Sequence, residues 1–113
     1  IGFGGKGTQA RDCLHPLDLS KLIKKQINFL ERKKLKNFIF NVSGGISSSF
    51  SLRELSIWCE KKIFLKKIGY NKKNRPFDLK WIILDSTKAK RIFKWKPEFS
   101  KYDIFQDINS NDR

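Results

Sequence analysis

Apolar residues recur at helical spacing along LDLSKLIKKQINFLERKK. Leu19, Leu22, Ile23, Ile27 and Leu30 share one face, while Lys21, Lys24, Lys25 and Arg32 occupy the others. This spacing predicts an amphipathic helix that docks on a core, with Pro16 or Asp18 marking its start. NFIFNV (37–42) is a β-branched and aromatic run ending at Ser-Gly-Gly, the pattern of a buried strand and a turn. A second helix is expected from Ser51, where Ser51 and Glu54 have the spacing of a capping box and Leu52, Leu55 and Cys59 line one face. After the basic loop KKIGYNKKNRPFDLK comes WIIL (81–84), a second buried strand. Asp85 then caps a short helix packed through Ala89, Ile92 and Phe93. Beyond Pro97, Ser100 with Asp103 opens a last helix carrying Ile104, Phe105 and Ile108, and 109–113 reads as a frayed tail.

Four helices and two short strands make an unusual inventory. Strands this short need neighbours, or their backbone groups stay unsatisfied. The pattern therefore predicts a partial α/β domain over 1–113 whose remaining strands lie upstream. The chain also holds no methionine, so it is expected to begin inside a longer protein.

Charge changes the picture less than its size suggests. The 25 basic and 11 acidic residues give a net +14 over 113 residues, which would suit a small basic nucleic-acid-binding module. Yet 19 of the 25 are lysine, and the chain is also rich in Ile, Asn and Phe, as an AT-rich genome encodes by default. Phosphate and base recognition favours the planar fork of arginine, which is scarce here. Solvated surface lysine is the preferred reading, with nucleic acid not expected as a partner. No segment approaches the ~20 apolar residues of a membrane span, so no membrane partner is expected either.

Candidate chemistry is sparse. Residues 2–7 spell G-x-G-x-x-G, but no strand leads in and no apolar helical spacing follows, so a glycine-rich turn is expected and not a dinucleotide fingerprint. Gly5-Lys6 is followed by Gly7, which excludes a Walker A loop. Cys13, Cys59 and the lone His15 have no zinc spacing, and Cys13–His15 lacks the third group a nucleophilic site requires. Reduced thiols and the lack of a signal peptide indicate a cytoplasmic protein. More informative are arginines beside acids in polar loops: Arg11-Asp12 before the first helix, and Arg75-Pro-Phe-Asp78 before the second strand. Arginine there can grip a diphosphate bidentately, and Asp78 can accept from a ribose hydroxyl.

The series GFGGKGTQARDCLHPLDL, FNVSGG, SFSLREL and RPFDLKWIILDSTKAKRIFKWKP resembles, in order and spacing, the C-terminal part of extended short-chain dehydrogenase/reductases. These are the NAD-dependent nucleotide-sugar epimerases and dehydratases. The shared pattern runs R-D-x-x-H/Y-x-x-D, N-x-G-G, S-x-x-E-L, R-x-x-D and D-x-x-K…W-x-P. The first stretch is most similar to the cytidine-diphosphate-sugar branch, the CDP-paratose 2-epimerase group. One departure is the turn Asn41-Val-Ser-Gly-Gly45, which is a residue longer than the family's N-x-G-G or carries Ser in place of Gly.

The resemblance implies a C-terminal fragment of the extended fold: the last Rossmann helix and strand plus a small α+β substrate domain, with the Rossmann core missing. It implies substrate-binding roles for Arg11 on the diphosphate and for Arg75 and Asp78 on phosphate and ribose. No catalytic, cofactor or metal residue is implied here, because the glycine fingerprint and Y-x-x-x-K pair belong upstream. NAD is therefore expected in the parent enzyme and not on this chain, which needs the upstream Rossmann half as partner and alone would be inactive. The parent would be a homo-oligomer, with a dehydratase as the runner-up activity.

Overall fold

The computed structural model describes residues 5–32, 39–64, 67–69, 71–73 and 76–111. Three short strands, β1 (Ala10–Asp12), β2 (Ser49–Ser51) and β3 (Trp81–Ile82), form one mixed sheet in the order β2-β1-β3. β1 runs antiparallel to β2, with Arg11 opposite Phe50, and parallel to β3, with Arg11 opposite Ile82. The α-helices are α1 (Pro16–Arg32), α2 (Leu52–Cys59), α3 (Thr87–Phe93) and α4 (Lys101–Asn111). A π turn, Glu60–Phe64, extends α2. The α/β class and all four helices agree with the sequence pattern. The sheet does not: β1 and β2 are polar triplets that carry no strand signal, and they exist because the fold pairs them.

Each helix start has a named partner. His15 precedes α1, and its Nδ1 accepts from the Leu17 N–H at 3.1 Å. Ser51 Oγ accepts from Glu54 N–H at 3.1 Å, as the capping box requires. Two further N–H groups at the start of α2, those of Leu52 and Arg53, donate to the Gln9 and Gly7 carbonyls. Asp85 holds the first turn of α3 by accepting from both the Thr87 N–H and its hydroxyl, at 2.8 and 2.6 Å. Ser86, at the cap position itself, turns inward: its hydroxyl accepts from the Ser43 N–H and donates to the Ser43 carbonyl. Ser100 and Asp103 cap α4 reciprocally.

The core is small. Leu22, Ala89, Phe93 and Trp95 are buried, with Leu14, Phe29, Phe40, Val42 and Ile92 packed around them. A second cluster sets Phe50, Trp58 and Tyr102 around the buried Phe105. Asp18, fully buried, staples α1 to the chain before α4. Its Oδ2 accepts from Glu98 and Phe99 N–H, and its carbonyl accepts from the Trp95 indole.

Several expectations need correction. The apolar face of α1 is only half used: Leu22 is buried, whereas Leu19, Ile23, Ile27 and Leu30 are 41 to 56% exposed. The core contact is rotated toward Asp18, Leu22 and Phe29, leaving an apolar stripe beside it. The 37–42 segment is not a strand across its described residues 39–42. Phe40 and Val42 reach the core, but Ile39 is 87% exposed, and the sheet among the described residues is made of β1, β2 and β3. WIIL yields only the two-residue β3, and Trp81 and Leu84 are exposed because the sheet has no layer over them there. Ile108 is exposed, whereas Ile104 and Phe105 carry the buried apolar contact of α4. α4 continues through Asn111, so 109–111 are helical where fraying is expected, with Ser110 bonded back to Gln106 and Asp107, while 112–113 lie outside the described residues. The radius of gyration, 17.2 Å, exceeds the roughly 13 Å of a compact domain of this length.

Candidate functional site

Strand alternation sends neighbouring side chains to opposite faces, and this separates Arg11 from Asp12 in the centre of the sheet. On one face the Arg11 guanidinium meets the Asp78 carboxylate at 3.4 Å and donates to the Ala10 carbonyl at 2.6 Å. Gln9, almost wholly buried, donates from its amide to the other Asp78 oxygen at 3.4 Å, while its own side-chain oxygen finds no partner among the described residues. The Arg11 side chain is 31% exposed and that of Asp78 9%, so the pair lies at the edge of solvent with the acid on the inner side. A guanidinium has five N–H donors, and these contacts leave others for a ligand.

The chain reaches Asp78 through a turn at 76–77, where Phe77 adopts φ 58° with its side chain fully exposed. The left-handed region is costly for an aromatic residue. Arg75 lies outside the described residues, so of the three expected site residues the structure brings two together.

On the opposite face Asp12 serves as a staple. Its Oδ2 accepts from the Ser43 hydroxyl, from Gly45 N–H at 3.2 Å and from Leu84 N–H at 3.1 Å. One carboxylate thus ties β1 to the glycine turn and to the end of β3, and so fixes the strand that carries Arg11. The sequence pairs Arg11 with Asp12 as adjacent opposite charges. Only the strand reveals that they work on different sides.

The other titratable groups take structural parts. The Cys13 thiol donates to the Ser48 carbonyl at 3.3 Å, and burial, with Asp12 nearby, pushes its pKa up. His15 stacks on Phe99 at 3.9 Å with Nε2 3.2 Å from Asp107, so Cys13 and His15 face different partners. Glu54 is held below the usual carboxylate range chiefly by the Lys101 ammonium at 2.5 Å, with help from the Tyr102 hydroxyl. Among the described residues no group of three or more His, Cys, Asp or Glu side chains could hold a metal ion. None of their helices is long and apolar enough to cross a membrane.

Of the G-x-G-x-x-G stretch at 2–7, Gly2 and Gly4 lie outside the described residues. Gly5 and Gly7 have φ of 83° and 62° and make a turn, but the turn leads into strand β1 and not into a helix. A pyrophosphate cradle needs the N–H groups of a helix start at that place. Here the Gly7 carbonyl is instead taken up by the Arg53 N–H at the start of α2.

No family model matches the chain. It is 33% identical over 94 residues to the UDP-glucose 4-epimerase of Streptococcus mutans serotype c, a match covering 82% of this chain and 27% of that protein. Its structure matches the crystal structure of UDP-glucose 4-epimerase with UDP-glucose from Thermotoga maritima, with a TM-score of 0.68 and 25% identity. That match covers 91% of this chain and 31% of the other. The chain is therefore homologous, at modest identity, to UDP-glucose 4-epimerase, and it spans about three-tenths of the length of these relatives.

Proposed function

We propose that this chain is the nucleotide-sugar-binding portion of an NAD-dependent epimerase, with Arg11, Arg75 and Asp78 gripping the diphosphate and ribose of the substrate. The observation that carries this reading is the Arg11–Asp78 pair. It joins an arginine and an acid 67 positions apart at a partly exposed edge, on a chain homologous to an epimerase crystallised with UDP-glucose. An arginine with donors to spare, braced by a carboxylate, is suited to charge-assisted bonds with a diphosphate.

The chemistry itself belongs elsewhere in the parent enzyme. The glycine turn does not suit NAD, and the reacting groups are assigned to an upstream Rossmann half. The exposed stripe Leu19, Ile23, Ile27 and Leu30 supports the docking of such a half onto α1. Residues 1–113 are then one partial domain. The two relatives favour an epimerase over a dehydratase, and their substrate name points to a uridine nucleotide. The stretch GFGGKGTQARDCLHPLDL points instead to a CDP-linked deoxysugar, which is the finer reading proposed.

Titrating the isotope-labelled 113-residue chain with CDP-glucose, UDP-glucose and a mixed-sequence oligonucleotide tests this. Saturable shifts at residues 9–12 and 76–79, stronger with the cytidine compound, are expected. Stronger binding of the uridine compound would move the substrate to that branch. Shifts only with the oligonucleotide, weakening steeply with salt, would replace the reading with a nucleic-acid-binding module.

A further inference from the structure

The Asp12 face of the sheet carries a second, separate cleft of about 390 Å³. It is bounded by the glycine turn at Gly44 and Gly45, by Trp81 and Leu84, and by Asp85 and Lys90 at α3. Asp12 bonds the Gly45 and Leu84 N–H groups from below, so the cleft lies across the sheet from Arg11.

Its floor has an unusual cation. Lys90 is half-buried, and its ammonium stands 3.9 Å from where a side chain on Gly45 would begin. The turn itself requires both glycines, since Gly45 has φ 72° and a side chain at Gly44 would strike the Cys13 carbonyl. Among the described residues Lys90 has no ion-pair or hydrogen-bond partner for its ammonium. Among the described residues Asp85 is the only carboxylate lining the cleft, and it is committed to Thr87, which holds its pKa below the ordinary range while Lys90 adds a weaker pull. On the wall, Trp81 is 64% exposed although it sits in the sheet. A ligand anion in the cleft would give this ammonium a charge-assisted hydrogen bond. An exposed indole offers a flat surface for a ring.

We propose that the cleft between the Gly44–Gly45 turn, Trp81 and Lys90 binds a small organic monoanion with a planar ring, such as an aromatic carboxylate, its ring on the indole and its charge on the ammonium. A single cation with a carboxylate at the rim favours one negative charge over two. The volume admits one or two rings.

The test is a titration of the 15N-labelled 113-residue chain with benzoate, reading the indole N–H of Trp81 against those of Trp58 and Trp95. Acetate supplies charge without a ring, and benzyl alcohol a ring without charge. The expected result is a saturable shift at Trp81 and residues 44–47 with benzoate, and at least tenfold weaker binding of either control. Lys90→Gln should weaken benzoate about tenfold, in the range of a charge-assisted bond, and Lys90→Arg should restore it with the spectrum otherwise unchanged. Arg11→Ala should leave it unaltered, which separates this cleft from the nucleotide-sugar site. Equal shifts with acetate, shifts spread over all lysine-rich segments, or unchanged affinity in Lys90→Gln would overturn the proposal.

Discussion

Arg11 in the central strand and Asp78 beyond the turn at Phe77 meet at 3.4 Å across 67 residues of chain. Three features hold them there: the register of β1 with β3, the Asp12 staple on the other face, and the Gln9 amide on the second Asp78 oxygen. Because the acid is the more buried partner, it braces the guanidinium and leaves the cation facing outward.

Arg11→Ala should therefore weaken nucleotide-sugar binding roughly tenfold or more, since hydrogen bonds to charged groups contribute ~1.5–3 kcal/mol. Arg11→Lys should recover little of this, because an ammonium cannot reproduce the planar fork. Asp78→Asn should be milder, because the amide oxygen still accepts from Gln9 or a ribose hydroxyl. Calorimetric Kd values for the three variants check the order.

Phe77 stores strain that glycine would release. Its φ of 58° with a fully exposed ring means the side chain contributes no packing. The left-handed penalty is ~1–2 kcal/mol, and glycine returns part of that as unfolded-chain entropy. Phe77→Gly should stabilise the chain by about 0.5–1 kcal/mol, read as a higher urea midpoint at constant m-value. If the aromatic ring also meets the ligand, nucleotide-sugar affinity will fall in the same variant.

Much of the helical content is legible in the sequence because local rules govern it. The Ser51–Glu54 and Ser100–Asp103 caps, and Asp85 at α3, act within four residues of chain. Of the sheet only β3, inside WIIL, is legible, because Ala10–Asp12 and Ser49–Ser51 become strands only by pairing. The α1 periodicity correctly gives a helix but not its orientation. A face wide enough for two contacts is read as one, and the core takes the Leu22 side only. At the site, the motif residues Arg11 and Asp78 are foreseen, whereas the staple role of Asp12 and the buried Gln9 follow from strand alternation that no local pattern announces.

Substitutions can separate the buried side of α1 from its exposed apolar stripe. Leu22→Ala removes a fully buried side chain and should cost about 2–5 kcal/mol, enough to unfold so small a core. Ile23→Gln and Ile27→Gln should leave the isolated chain's stability within ~0.5 kcal/mol. They should also lower its binding of an apolar-surface dye. A large loss of stability in Ile23→Gln would mean that the stripe is already packed.

Glu54 gives the chain an acid limb. Its folded pKa is depressed, chiefly by Lys101, so its contribution is present above the unfolded glutamate value of about 4.3 and is lost as pH falls through the folded value. Thermal midpoints of the native chain should fall between about pH 5 and pH 3 more steeply than those of Glu54→Gln. Parallel curves would show that the Lys101 contact does not form in solution. The effect should be modest, because the glutamate side chain is 37% exposed and salt screens it.

The measurement closest to the central claim is the Kd of CDP-glucose and UDP-glucose for the 113-residue chain, set against Arg11→Ala and the double variant Lys24→Ala/Lys25→Ala. The account predicts saturable binding of at least one compound, a loss of roughly tenfold or more in Arg11→Ala, and little change in the lysine variant despite its two lost charges. Binding that survives Arg11→Ala but collapses with the α1 lysines would contradict it.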